Sequence, residues 1–207
     1  MCRNKTPIIF IHGILSSPYC WNKVKSKICD KTGRKGYAVC LRNHGSSEWS
    51  EEMSAFDMAE DVKEFMKKEH VSKAILIAHG IAGFAALVIA FTNKPNEKAL
   101  SRPMIPLLPF YKNKSGKFVW EINVDVVIKM SANIQSFQIP LKEDTIYPGE
   151  TLFIAAEFSS FVVLKQKEVI LKHIPKIRFV LAEGVYHSCH LEKPEKYVDI
   201  ITKFLVP

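Results

Sequence analysis

Lys73-Ala-Ile-Leu-Ile-Ala78-His79-Gly80-Ile-Ala-Gly83-Phe-Ala-Ala-Leu-Val-Ile-Ala-Phe91 is the stretch that decides how this chain folds. Five apolar residues, Ala74 to Ala78, form a run too short for a buried helix and right for a buried strand. A turn containing Gly80 and Gly83 follows, and the apolar residues from Phe84 to Phe91 then suit a core helix. The unit is strand, elbow, helix. In a parallel sheet such a turn lies at the carboxyl ends of the strands, where ligands bind. Gly80 stands at its tip.

Outward from this unit the pattern repeats. Pro7-Ile-Ile-Phe-Ile-His12-Gly13 reads as a second central strand delivering a tight loop. Ser17 and Pro18 suit a helix start, Trp21, Val24 and Ile28 share one face, and Gly33 to Gly36 close the helix. Tyr37 to Leu41 is the next strand and Arg42-Asn-His-Gly-Ser-Ser47 its polar loop. Ser54 and Asp57 have capping-box spacing, with Met58, Val62, Phe65 and Met66 recurring at helical intervals up to about Glu69. Beyond the elbow helix, Pro95, Pro103, Pro106 and Pro109 leave no room for a long regular element between Asn93 and Ser115. A helix is expected around Val124 to Met130, a strand over Thr151–Ala156, a helix from Val163 to Ile174, a strand over Ile177–Leu181, and a last helix from Pro194. Strands alternating with helices predict an α/β domain, a mostly parallel sheet covered by helices.

The 207 residues and 47% hydrophobic content suit one domain with one core, so residues 1–207 are expected to form a single unit. The net charge of +8 is carried by dispersed lysines, with no basic run, no aromatic-interleaved basic motif and no zinc-finger spacing, so nucleic acid is not an expected partner. Five cysteines without a C-x-x-C pair and no signal peptide point to a reducing, intracellular setting. The longest apolar stretch, Ile75 to Phe91, is interrupted and falls short of the roughly 20 residues of a membrane span. His187, Cys189 and His190 have no second ligand cluster to complete a zinc pattern, so neither metal nor cofactor is expected.

Taken together, His12-Gly13, Arg42-Asn-His-Gly-Ser-Ser47, the elbow at Gly80, Phe118-Val-Trp-Glu-Ile-Asn-Val-Asp125 and Val185-Tyr-His187 resemble the α/β-hydrolase family. The resemblance is to the group containing the mitochondrial α/β-hydrolase-domain protein eleven and its bacterial esterase relatives, and it covers nearly the whole chain. It implies ester or lipid hydrolysis, a mitochondrial setting although this chain carries no transit peptide, and a site with assigned roles. In that family the elbow is written G-x-S-x-G and its serine is the nucleophile. Here the corresponding position is Gly80. The histidine falls on His187 and the orienting acid on Asp125 or Glu157. Backbone N–H groups of Leu15 and Ile81 form the oxyanion hole.

Other departures accompany the missing serine. Cys40 replaces an aspartate that precedes the Arg-Asn-His-Gly loop. Only a short stretch stands where the family has a sixth strand and a helical cap, so residues 93–137 read as a shortened cap remnant with a core strand deleted. Nothing precedes Thr6 to form the family's first two strands. A serine hydrolase needs an Oγ to attack, a histidine to take its proton and a carboxylate to orient that histidine. Three expectations follow. The protein is a catalytically impaired esterase relative that binds an acyl or lipid-like ligand or a protein partner; or it is an active serine-hydrolase-like carboxylic ester (lipid or acyl) hydrolase by descent, or hydrolyses esters through a water activated by His187; or it is a shortened variant that folds poorly. Beside these stand plainer readings: Gly80 simply tolerates the elbow backbone, His187 is a surface relic, Cys189 lies off the elbow and is no substitute nucleophile, and Ser46, Ser47, Ser159 and Ser160 cap loops.

Overall fold

The computed structural model describes residues 5–92, 98–102, 110–112, 118–120, 122–132, 144–159 and 167–206. Ile8–Ile11 (β1) is entirely buried, and a 3₁₀ turn, Pro18–Trp21, leads from its loop into α1, Asn22–Thr32. Trp21, Val24 and Ile28 are buried along one side, as the spacing predicts, and Gly33 closes the helix with φ 62. Ser17 precedes the turn, but its side chain makes no capping bond. Gly36–Val39 (β2) follows, then Ala55–Lys68 (α2), whose capping box is complete: Ser54 Oγ accepts from the Asp57 N–H, and the Asp57 carboxylate accepts from the Ser54 N–H. Ile75–His79 (β3) is buried throughout, and Ala82–Thr92 (α3) packs against it.

Six strands form one sheet in the order β2-β1-β3-β4-β7-β8, where β4 is Lys98–Arg102, β7 Thr151–Ala156 and β8 Ile177–Ala182. All its pairings are parallel. Phe110–Lys112 (β5) and Phe118–Trp120 (β6) make a separate antiparallel pair. The remaining helices are α4, Val124–Ala132, α5, Lys167–His173, α6, Cys189–Glu192, and α7, Pro194–Leu205. Parts of the expected cap remnant, residues 93–97, 103–109, 113–117 and 133–137, lie outside the described residues, as does the start of the helix expected from Val163.

One expectation is corrected. The core strand thought to be deleted is present: β4 pairs in register with Ile75–His79 on one side and Thr151–Phe153 on the other. The five paired residues contain no proline, so every one of them can offer an N–H to the ladder. A strand this short, beginning with lysine and ending with arginine, carries too little hydrophobic signal to stand out between prolines.

The core divides on the two faces of the sheet. On one, α2, α3 and α4 bury Met58, Val62, Ala85, Ile89 and Val127 against Ile9 and Leu76. On the other, α1 and α7 bury Trp21, Val24, Ile28, Val198 and Ile201 against Phe10 and Ile77. Fully burying an aliphatic side chain contributes about 1.5–3 kcal/mol each. Both faces are therefore covered, and the open ground is at the strand ends.

Candidate functional site

Because the six strands are parallel, the loops after β1, β2, β3, β7 and β8 gather at one end of the domain. After β3 the chain turns through Gly80, φ 68, and the Gly80 carbonyl accepts the Gly83 N–H at 2.8 Å to begin α3. This is a left-handed backbone position, which glycine occupies at little cost and an L side chain at about 1–2 kcal/mol. The loop after β1 lies directly on the elbow. A Cβ at Gly13 would stand 3.0 Å from His79 Nδ1 and 3.1 Å from the His79 carbonyl oxygen, so this close approach requires glycine. Leu15, in the same loop, has φ 55, and Leu15 and Ile81 are both half-buried against the same core cluster. The two residues expected to supply oxyanion donors thus follow adjacent strands at one end of the sheet.

The histidine side is built from the opposite edge of the sheet. Beyond β7 the chain turns through Glu157, Phe158 and Ser159, and beyond β8 through Gly184 to Ser188. The two loops are tied together: the Glu157 N–H donates to Ala182 O, the Phe158 N–H donates to Val185 O, and the Gly184 N–H donates to Glu157 Oε2 at 2.6 Å. Glu192, in α6, accepts from the Tyr186 and Ser188 N–H groups. His187 is therefore held on a fixed loop, 6% exposed, with its Nδ1 3.1 Å from Ser159 Oγ. Its ring lies 5.9 Å from that of His79, which in turn is 4.6 Å from His190. Trp21 stacks on His190 at 4.6 Å and so closes the floor of this histidine group from below.

The surface reading of His187 is corrected, because the two strapped loops bury it. Of the two candidate acids, Glu157 follows the neighbouring strand but its carboxylate is taken by the Gly184 N–H. Asp125 is exposed on the first turn of α4. That helix is anchored to the far side of the site, since the Asn123 N–H donates to Asn43 O at 2.8 Å and Asn123 Nδ2 donates to Asn43 Oδ1 at 3.2 Å. Neither carboxylate hydrogen-bonds His187. Sequence reasoning gave Ser159 a loop-capping role and missed its hydroxyl against the imidazole. The only signal was its place two residues past Glu157, on the loop after a strand.

The loop after β2 is a supporting structure. Arg42 donates to both carboxylate oxygens of Asp61, with Nη2 to Oδ1 at 2.7 Å, and also faces Asp57, which pins the loop to α2. His12 is fully buried between two fixed partners: its Nδ1 lies 2.8 Å from Gly13 O, and its Nε2 accepts the Leu41 N–H at 3.1 Å. A carbonyl can only accept, so Nδ1 carries the proton and the ring is neutral. Burial, and secondly the neighbouring His44, push its pKa down to about 3. His44 is also lowered by burial, and its Nδ1 donates to Arg42 O. These two histidines are scaffold. Among the described residues no group of three His, Cys, Asp or Glu side chains is arranged to hold a metal ion, and no helix is long and apolar enough to cross a membrane.

No family profile matches the chain. Similar proteins of known name do. The sn-1-specific diacylglycerol lipase ABHD11 of Danio rerio is 22% identical over 99% of this chain and 80% of its own length. A putative esterase/lipase of Haemophilus influenzae is 25% identical, covering 98% and 84%. Among solved structures, a marine microorganism esterase superposes with a TM-score of 0.79 at 20% identity, over 98% of this chain and 96% of that one. The E-2-(acetamidomethylene)succinate hydrolase gives 0.81 at 16% identity, over 98% and 92%. Sheet order, elbow and relatives agree: the chain has the α/β-hydrolase fold and resembles ABHD11 and bacterial esterases.

Proposed function

We propose that this protein binds an acyl or lipid-like ligand at the carboxyl end of its sheet without hydrolysing it at the rates of an esterase. One observation carries the reading: the tip of the elbow between β3 and α3 is Gly80, which has no atom to attack a carbonyl. The family resemblance assigns the nucleophile to this position, the base to His187, and the orienting acid to Asp125 or Glu157. Neither acid bonds His187, whose Nδ1 faces the neutral hydroxyl of Ser159. The backbone donors expected at Leu15 and Ile81 depend on loop shape alone, so a pocket that polarises a carbonyl can outlast the chemistry. The diacylglycerol lipase activity in the names of similar proteins supports a lipid-like or acyl ligand. Loss of the whole triad leaves roughly 10³–10⁴-fold over water from binding and the oxyanion hole, far below an active hydrolase.

A second reading is retained on the burial of His187 beside His79: slow ester hydrolysis by a water that His187 deprotonates. A protein-binding role and the mitochondrial setting implied by the resemblance belong to the same proposal. The test joins a fluorophosphonate probe, which reports an activated serine, with titration of a non-hydrolysable acyl phosphonate followed by calorimetry. The unmodified chain should bind the phosphonate and take no label. Robust acyl turnover abolished by His187→Ala would establish the second reading instead. Fractionation of cells expressing the tagged full-length protein tests the location.

A further inference from the structure

The charge of the molecule is sorted by the sheet. A parallel sheet sends all strand entrances to the end opposite the candidate site, and at that end lysines outnumber carboxylates: Lys5 lies before β1, Lys35 before β2, Lys73 before β3 and Lys176 before β8, against Glu150 before β7 and Glu69 at the end of α2. Each of these lysines is exposed, and none has a carboxylate within salt-bridge distance among the described residues. Lys67 and Lys68 close α2 at the same end and Lys172 closes α5. Cations at helix carboxyl ends have a structural explanation, since they offset the helix dipole. Two entrance lysines have local partners as well, since Lys5 Nζ donates to Thr32 O at the end of α1 and Lys35 Nζ lies 4.4 Å over the Tyr37 ring. Lys73 and Lys176 have no such contact among the described residues, and sheets carry only a small net dipole to account for them. Near the site the balance reverses, with Glu48, Glu51, Glu52 and Glu183 exposed on the loops there.

We propose that this basic end docks on an anionic lipid surface, leaving the mouth of the candidate site turned toward water. Three partners offer negative charge, and composition separates them. Protein interfaces are enriched in arginine and aromatic residues and depleted of lysine, whereas this face is lysine-rich. Nucleic-acid grooves add aromatic platforms or forked arginine contacts, and the exposed aromatic side chains Phe158 and Tyr186 lie at the opposite end. A bilayer surface needs only dispersed cations and some aliphatic area at the headgroup boundary. Ile146, on the loop entering β7, is 58% exposed, and Leu171, in the last turn of α5, is 37% exposed at this same end. The inference does not depend on whether the site turns over its ligand.

The experiment is flotation of the full chain with vesicles of phosphatidylcholine alone or with about 30% phosphatidylserine. Binding should require the anionic lipid and disappear near 1 M salt, where the screening length falls to about 3 Å. Neutralising four entrance lysines, Lys35→Gln, Lys67→Gln, Lys73→Gln and Lys176→Gln, should weaken partitioning at least a hundredfold, at roughly fivefold for each. Neutralising four lysines nearer the other end or on the flank, Lys23→Gln, Lys129→Gln, Lys193→Gln and Lys196→Gln, removes the same net charge and should change it only a few-fold. Equal losses in the two sets would overturn the proposal by showing that net charge alone acts. It is also overturned by absence of binding to anionic vesicles, or by tighter capture on a double-stranded oligonucleotide at the same salt.

Discussion

The two sides of the candidate site are built on different principles. The elbow side is made by backbone: a glycine at φ 68, a Gly13 backbone lying on His79, and a Leu15 at φ 55. The histidine side is made by side chains: Glu157 and Glu192 hold the loops, and Ser159 meets His187. Backbone geometry survives exchange of the reactive residue, while a side-chain relay fails when one member changes. If Gly80 stands where a relative has its serine, as proposed above, the elbow keeps its shape while the relay is free to drift.

Restoring both sides at once should give the largest effect. Gly80→Ser alone should acquire fluorophosphonate labelling, slowly, because a neutral group in place of the orienting carboxylate of a serine-protease triad lowers turnover about 10⁴-fold. Gly80→Ser combined with Ser159→Asp should label about 10²–10³-fold faster than Gly80→Ser, and His187→Ala in that background should abolish the gain. Labelling of Gly80→Ser unaffected by His187→Ala would break the comparison, since the relay would then have no part. The same serine should lower the melting temperature, because its Cβ enters a left-handed backbone position at about 1–2 kcal/mol.

Next in size is the packing of the elbow. Gly13→Ala puts a methyl group 3.1 Å from a backbone oxygen that has little room to move, and should destabilise by about 1–3 kcal/mol in urea unfolding. Smaller again is the acid response of the scaffold. His12 stays neutral in the fold down to about pH 3, whereas in the unfolded chain it takes up a proton below about 6.5. Its contribution is thus full above about pH 6.5 and is lost progressively as pH falls toward 3. Urea midpoints should decline over that window, and the His12→Gln variant, less stable at neutral pH, should show a shallower decline.

The elbow and the helices on either side of it were legible because their signals are local: an apolar run, two glycines, a capping box, helical spacing of Met58, Val62 and Met66. The strand Lys98–Arg102 was not, because what makes it a strand is the pair of neighbours it sits between. The same holds at the site. Gly80 and His187 could be singled out by their surroundings in sequence, but the bond from Glu157 to Gly184 and the meeting of Ser159 with His187 each span more than twenty residues and leave no local trace. Charge sorting falls between these cases, since dispersed lysines look patternless until a parallel sheet brings their strand entrances together.

At the margin of the sheet, β2 pairs with β1 on one flank only. Alternate amide and carbonyl groups along Gly36–Val39 therefore face outward with no strand beside them among the described residues, the arrangement from which edge-to-edge aggregation starts. The four-residue length of β2 and the cation at Lys35 are the safeguards against it. Concentrated preparations should be least prone to form oligomers where that lysine is kept and salt is low.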